Sequence, residues 1–269
     1  MNILHIDSSP RQQSHSRQLS AAIVKRLLEV APGADIIRRD LGADPLPQTV
    51  ALYAAALASP ATLAAPPEGS LDLSEQLIRE IEVADAIVIG TPMHNLTIPS
   101  VLKAWIDQIL RVGRTMKSTP GGKVGMLRDR PVFIGVASGG FFTGERANQP
   151  DFLTPYLSVA LSSIGLKSQQ FLPLQGTAFL DWEQAAETRD KTLAVLDRTT
   201  VERLTEIRHQ PAMIASAGRL HRDLSSVPRA SPRALTENFQ RLHINHPAEP
   251  DHQHEGSDDF IDVYASQDR

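Results

Sequence analysis

The feature that most constrains this chain is the alternation of short apolar runs with stretches of helical periodicity. The runs are Asn2 to Asp7, Ala34 to Asp40, Ala86 to Gly90, Val132 to Ser138 and Lys167 to Leu174. Between them, apolar residues recur at helical spacing over Ser16 to Val30, Ser74 to Val83, Pro99 to Leu110 and Phe152 to Ile164. Continuous runs of Ile and Val suit strands covered on both faces, and strand–helix alternation gives a parallel sheet with right-handed crossovers. The expected architecture is therefore α/β, a doubly wound five-stranded parallel sheet in the order 2-1-3-4-5 with helices on both faces. The Ala- and Pro-rich segment Pro45 to Gly69 reads as an irregular excursion with one short helix, and Asp181 to Arg208 as a long polar helix.

In such sheets ligands bind beyond the carboxyl ends of the strands, so the three loops that follow strands one, three and four are the candidate site. The first is Ser8-Ser9-Pro10-Arg11-Gln12-Gln13-Ser14-His15-Ser16-Arg17. It aims serine hydroxyls, arginines and backbone N–H groups at a point in front of a helix N-terminus, which is an anion site. The helix dipole contributes only about 0.3–1 kcal/mol, whereas a hydrogen bond to a charged group contributes about 1.5–3 kcal/mol, so hydroxyls and amides dominate. Neither G-x-G-x-x-G nor G-x-x-x-x-G-K-[ST] occurs there, so a phosphate monoester suits the loop better than a dinucleotide or a nucleoside triphosphate. Taken alone, the loop serves equally as a polar turn and helix cap. The second loop, Thr91-Pro92-Met93-His94-Asn95-Leu96, runs into a helix opened by Pro99. The third, Ala137-Ser138-Gly139-Gly140, ends in adjacent glycines whose N–H groups suit a flat ligand with a ring carbonyl. Three loops on one crevice favour a ligand.

Several motifs in order resemble the FMN-dependent NADH azoreductases, a branch of the flavodoxin-like NAD(P)H:quinone oxidoreductases. They are Ser8-Ser9 with Ser14-His15-Ser16 and Leu19-Ser20, and Pro92-Met93-His94-Asn95 with Ile98-Pro99 and Leu102-Lys103. Then follow Arg111-Val112-Gly113 with Thr115, the pair Gly139-Gly140, and Phe152-Leu153-Thr154-Pro155-Tyr156-Leu157 with Ile164-Gly165. The resemblance runs from Met1 to about Asp197. It implies one FMN per subunit, NADH or NADPH as co-substrate, a quinone or azo compound as acceptor, and a homodimer. It further implies that Ser9, Ser14, His15 and Ser16 hold the phosphate, that Met93, His94, Asn95 and Leu96 lie along the isoalloxazine, and that Ala137, Ser138, Gly139 and Gly140 close over its pyrimidine edge. His94 and Leu96 stand where the family usually has aromatic residues, and Ser138 where it often has Arg. His94 is the candidate proton donor to the acceptor, because imidazole titrates near neutral pH. The alternative is a non-enzymatic FMN electron carrier, which calls for a strongly acidic face and aromatic cover; acids and bases nearly balance here.

Composition narrows the field further. The 269 residues are 41% hydrophobic with a formal net charge of -4, enough for a full core and without the basic footprint of a nucleic-acid binder. There is no cysteine, which excludes thiolate catalysis and zinc–thiolate sites. No apolar run approaches the roughly 18 residues of a membrane span, so a cytoplasmic protein is expected. Residues 1–208 make the expected FMN-binding domain and 209–269 a His- and Pro-rich C-terminal extension. Its cluster His243, His246, His252, His254 and Glu255 lacks the fixed shell a metal site needs, so no metal is expected; its stretch Phe260 to Tyr264 suits docking on a partner subunit. His5, Trp105 and Ile106 read as core, and Phe141 and Phe142 as aromatics for substrate stacking or a dimer interface.

Overall fold

The computed structural model describes residues 1–47, 51–199 and 201–203. The C-terminal extension and its histidine cluster lie outside the described residues. The strands are β1 (Asn2–Asp7), β2 (Asp35–Asp40), β3 (Ala86–Pro92), β4 (Met116–Thr119), β5 (Gly122–Gly125), β6 (Val132–Ala137) and β7 (Gln169–Leu174). The helices are α1 (His15–Val30), α2 (Ala51–Leu57), α3 (Pro60–Ala64), α4 (Asp72–Val83), α5 (Ser100–Ile109), α6 (Leu153–Ser163) and α7 (Trp182–Leu193). Five strands form one parallel sheet in the order β2-β1-β3-β6-β7, the expected topology.

Side chains alternate across the sheet, and each face buries its own core. Leu4, Ile6, Ile87, Ile89, Ile134 and Val136 pack with Leu77, Ile78 and Ile81 of α4, Leu102, Trp105, Ile106 and Ile109 of α5, and Leu157 and Leu161 of α6. Ile3, Val88, Phe133 and Leu172 pack with Leu19, Ile23 and Leu27 of α1 and Leu193 of α7 on the other face. Trp105 and Ile106 are fully buried, as expected. Helix α1 lies so close to β3 that a Cβ at Gly90 would stand 2.5 Å from Ser20 Oγ and 2.7 Å from Asp7 Oδ1.

Three details depart from the sequence expectation. The 45–69 excursion holds two short helices, because Ser59 and Thr62 form a capping box with Pro60 at the first helical position and restart the chain. An antiparallel hairpin, β4–β5, turns at Thr119-Pro120-Gly121-Gly122; the Pro-Gly-Gly run is the signal that marks it. Helix α7 stops at Leu193, within the expected Asp181 to Arg208 stretch, and helical backbone returns at Thr199 and at 201–203. Asp197 Oδ1 there accepts from both the backbone N–H (3.0 Å) and the hydroxyl (2.7 Å) of Thr199, and such local bonds compete with continuation of a helix. The Arg111-Val112-Gly113 motif is structural. Arg111, 5% exposed, donates to Ser74 Oγ at 3.0 Å and to Glu75 of α4, and Thr115 Oγ1 bonds the Ile109 carbonyl at 2.6 Å.

Candidate functional site

The carboxyl ends of β1, β3 and β6 are neighbours in the sheet, which brings the three loops to one edge. After β1, Ser8 is tied to β3, its N–H and Oγ both donating to the Gly90 carbonyl at 3.0 and 3.1 Å. Ser9 Oγ accepts from the Arg11 N–H at 3.3 Å. Ser14 is the N-cap of α1, accepting from the Arg17 N–H at 3.3 Å, and its Oγ stands 3.2 Å from Ser16 Oγ. These hydroxyls form the floor of the loop: Ser9 is 2%, Ser14 7% and Ser16 0% exposed. The N–H groups of His15 and Ser16, in the first turn of α1, have no intrahelical acceptor.

Arg17 fastens this loop. Its Nε and one terminal nitrogen donate to the Ser9 carbonyl at 2.9 and 2.7 Å, and the guanidinium grips Asp40, at the end of β2, at 2.5 and 2.7 Å. The Asp40 carboxyl is held below the usual carboxylate range, chiefly by this hydrogen bond. Beneath the loop, Ser20 Oγ donates to Asp7 Oδ1 at 2.7 Å. His5 is a core histidine, as expected; its Nε2 is 3.4 Å from Asp7 Oδ2 without the alignment of a hydrogen bond. The half-buried His15 ring lies 5.0 Å from the Trp182 ring at the start of α7. Burial first, then the positive charges of Arg11 and Arg189, lower its pKa. Arg11 and Arg189 thus make the mouth of the loop electropositive, with His15 held toward its neutral form.

After β3, His94 and Thr97 exchange both backbone hydrogen bonds, at 2.9 and 3.0 Å, around a two-residue turn. Asn95 (φ 47°) and Leu96 (φ 72°) both take left-handed conformations. Asn tolerates this; for Leu it is strained by roughly 1–3 kcal/mol, a conformation that persists only where its surroundings hold it. The Leu96 carbonyl accepts from the Phe152 N–H at 3.1 Å, which anchors the turn to the start of α6. His94 and Asn95 are exposed at its tip. The Met93 N–H donates to the Ala137 carbonyl at 2.8 Å, joining this loop to the third.

The third loop faces away from the crevice with its carbonyls. Ser138 C=O accepts from the Thr177 N–H, Gly139 C=O from Ala178 and Gly140 C=O from Gly176, at 3.0 to 3.3 Å. The N–H groups of Gly139 and Gly140 have no acceptor among the described residues. One residue was missed in the sequence. Gln149 lies over the Gly pair, donating to Ser138 Oγ at 2.9 Å and approaching Met93 Sδ at 3.3 Å. No local sequence pattern signals this. The two phenylalanines part: Phe142 is 7% exposed and belongs to the core, so it serves neither substrate nor partner. Phe141 stacks on Phe179, centroids 6.4 Å apart, with the Arg146 guanidinium 4.0 Å over its ring.

The donor set fits a flavin mononucleotide at both of its polar ends. Buried hydroxyls, first-turn N–H groups and a positive mouth suit a phosphate monoester, while unpaired glycine N–H groups beside a bare Cα suit ring carbonyls.

Comparisons with known proteins agree. The family described as having a flavodoxin-like fold matches residues 1–199. An FMN-dependent NADH:quinone oxidoreductase of Pseudomonas fluorescens is 50% identical over 196 residues, covering 72% of this chain and 93% of that protein. One from Burkholderia lata is 46% identical over 181 residues, covering 66% and 86%. Among solved structures, an azoreductase from Bacillus anthracis superposes with a TM-score of 0.63 over 77% of this chain and 99% of its own, at 22% identity. An FMN-dependent NADH-azoreductase from the same species, in complex with FMN, gives 0.61 at 23% identity, covering 77% and 98%.

Proposed function

Because the chain belongs to the flavodoxin-like family and to its FMN-dependent NADH:quinone oxidoreductases, we propose that it binds FMN and carries electrons from a nicotinamide dinucleotide to a quinone or azo acceptor. The observation that carries this reading is the meeting of three strand-end loops whose free donors match the two polar ends of one flavin mononucleotide. Bound there, FMN supplies the two-electron redox chemistry.

The protein's share is binding, orientation and electrostatics. Ser9, Ser14 and Ser16 with the His15 and Ser16 N–H groups hold the phosphate, and the Arg11 and Arg189 charges beside the His15 ring attract it. Met93, Asn95 and Leu96 form a wall along the ring, kept rigid by the paired His94–Thr97 backbone and the Phe152 anchor. Ala137 and Ser138 position the Gly139 and Gly140 N–H groups, which favour negative charge at the pyrimidine edge. His94, exposed at the turn tip, is placed to hand a proton to the acceptor.

A homodimer is part of the proposal. Phe152 (59% exposed) and Val159 (71%) lie seven residues apart, on one face of α6, and leave apolar surface for an isologous contact. Among the described residues no helix is long and apolar enough to cross a membrane, in keeping with a cytoplasmic enzyme. The test is NADH consumption with benzoquinone in the presence of FMN. An enzyme gives turnover that needs both FMN and the quinone; flavin retention with no turnover returns the protein to the class of electron carriers.

A further inference from the structure

Three groups surround the Cα of Gly140. Two are the N–H donors of Gly139 and Gly140, unpaired among the described residues. The third is the carboxamide of Gln149, whose Oε1 lies 2.7 Å from the point where a Gly140 Cβ would sit. The Gln149 Nε2 is committed to Ser138 Oγ and Met93 Sδ. Its backbone N–H is committed to the Phe141 carbonyl at 3.2 Å. Oε1 has no donor among the described residues. With Nε2 fixed, the amide cannot rotate freely, so Oε1 stays presented as an acceptor.

Two N–H donors and one amide oxygen are the complement of an imide, which offers two carbonyl oxygens and one N–H. We infer that Gln149 reads the imide edge of the flavin, its Oε1 accepting from N3–H while the glycine N–H groups serve the flanking carbonyls. This rests on the FMN reading above and adds a specificity residue to it. Gly140 is required for the same reason. A side chain there displaces the carboxamide, and because Gln149 Oε1 is the far end of a flexible side chain, the displacement costs the fold little.

The test compares FMN with N3-methyl-FMN, which lacks the N3 proton, by quenching of flavin fluorescence on flavin-free protein. The wild type is expected to bind the methylated flavin about tenfold or more weakly, the cost of one unmatched hydrogen bond. In Gln149→Ala the two flavins should bind within about twofold of each other, through loss of FMN affinity. Gln149→Glu keeps an acceptor at the same place and should keep the preference. Gly140→Ala offers a second route to the Ala result should Gln149→Ala not fold. A wild type that does not discriminate, or a preference that survives both Gln149→Ala and Gly140→Ala, overturns the assignment and leaves FMN binding intact. Failure of the wild type to bind either flavin overturns the FMN reading and this inference with it.

Discussion

Replacing Arg17 by Met removes the clamp between the serine loop and β2 while keeping an unbranched stem of similar reach. Two N–H groups of Arg17 share one acceptor, the Ser9 carbonyl, so they count as a single charge-assisted bond of about 1.5–3 kcal/mol. The guanidinium is 10% exposed but Asp40 is 36% exposed, so solvent screens that pair, and it adds only about 0–1 kcal/mol. Together the loss is about 2–4 kcal/mol, which a domain of ordinary stability survives folded. Urea denaturation of the flavin-free protein measures it, and flavin titration should show FMN affinity reduced by about tenfold or more as the loop loosens. The pH dependence has a definite sign. Asp40 is depressed in the folded protein, so its pairing stabilises above the unfolded carboxylate value of about 3.9 and is lost as pH falls through the lower folded value. Arg17→Met should therefore show a flatter acid limb than the wild type below about pH 4. A stability change under about 0.5 kcal/mol with unaltered FMN affinity would refute the clamp.

Ser14→Ala combined with Ser16→Ala should cost about 2–5 kcal/mol of FMN affinity by fluorescence titration, and riboflavin, without the phosphate, should bind wild type and variant alike. Gly90→Ala forces a methyl into buried Ser20 and Asp7 atoms and should destabilise by about 1–3 kcal/mol or more in thermal unfolding; a neutral effect would mean that α1 can shift off the sheet. His94→Phe should retain FMN and still be reduced by NADH in stopped flow, with the slowing confined to reoxidation by quinone; equal reoxidation rates would make His94 a passive wall.

Much of this was written in the sequence. The Ile- and Val-rich runs announce a parallel sheet because strands covered on both faces leave little room for polar residues, and the strand-end loops announce the crevice. The Ser8 to Arg17 loop was legible as an anion site or helix cap, and Gly139-Gly140 as a point of close approach. Gln149 was not, since its role depends on a loop that folds back over the glycines, and no local pattern encodes that return. Leu96 was also hidden: nothing in a leucine signals a left-handed backbone, which is imposed by the two-residue turn and by the Phe152 anchor. Phe142 misleads for the opposite reason. An aromatic after a Gly pair reads as exposed, yet the chain turns it inward to the α4–α6 face of the core.

A crystal structure of the protein grown with FMN tests the central claim most directly. The flavin phosphate should lie within hydrogen-bond distance of the Ser9 to Ser16 loop, with the pyrimidine edge against the Gly139 and Gly140 N–H groups and the ring along the Met93 to Leu96 turn. FMN bound elsewhere, or held with its phosphate remote from the serine loop, would contradict the account.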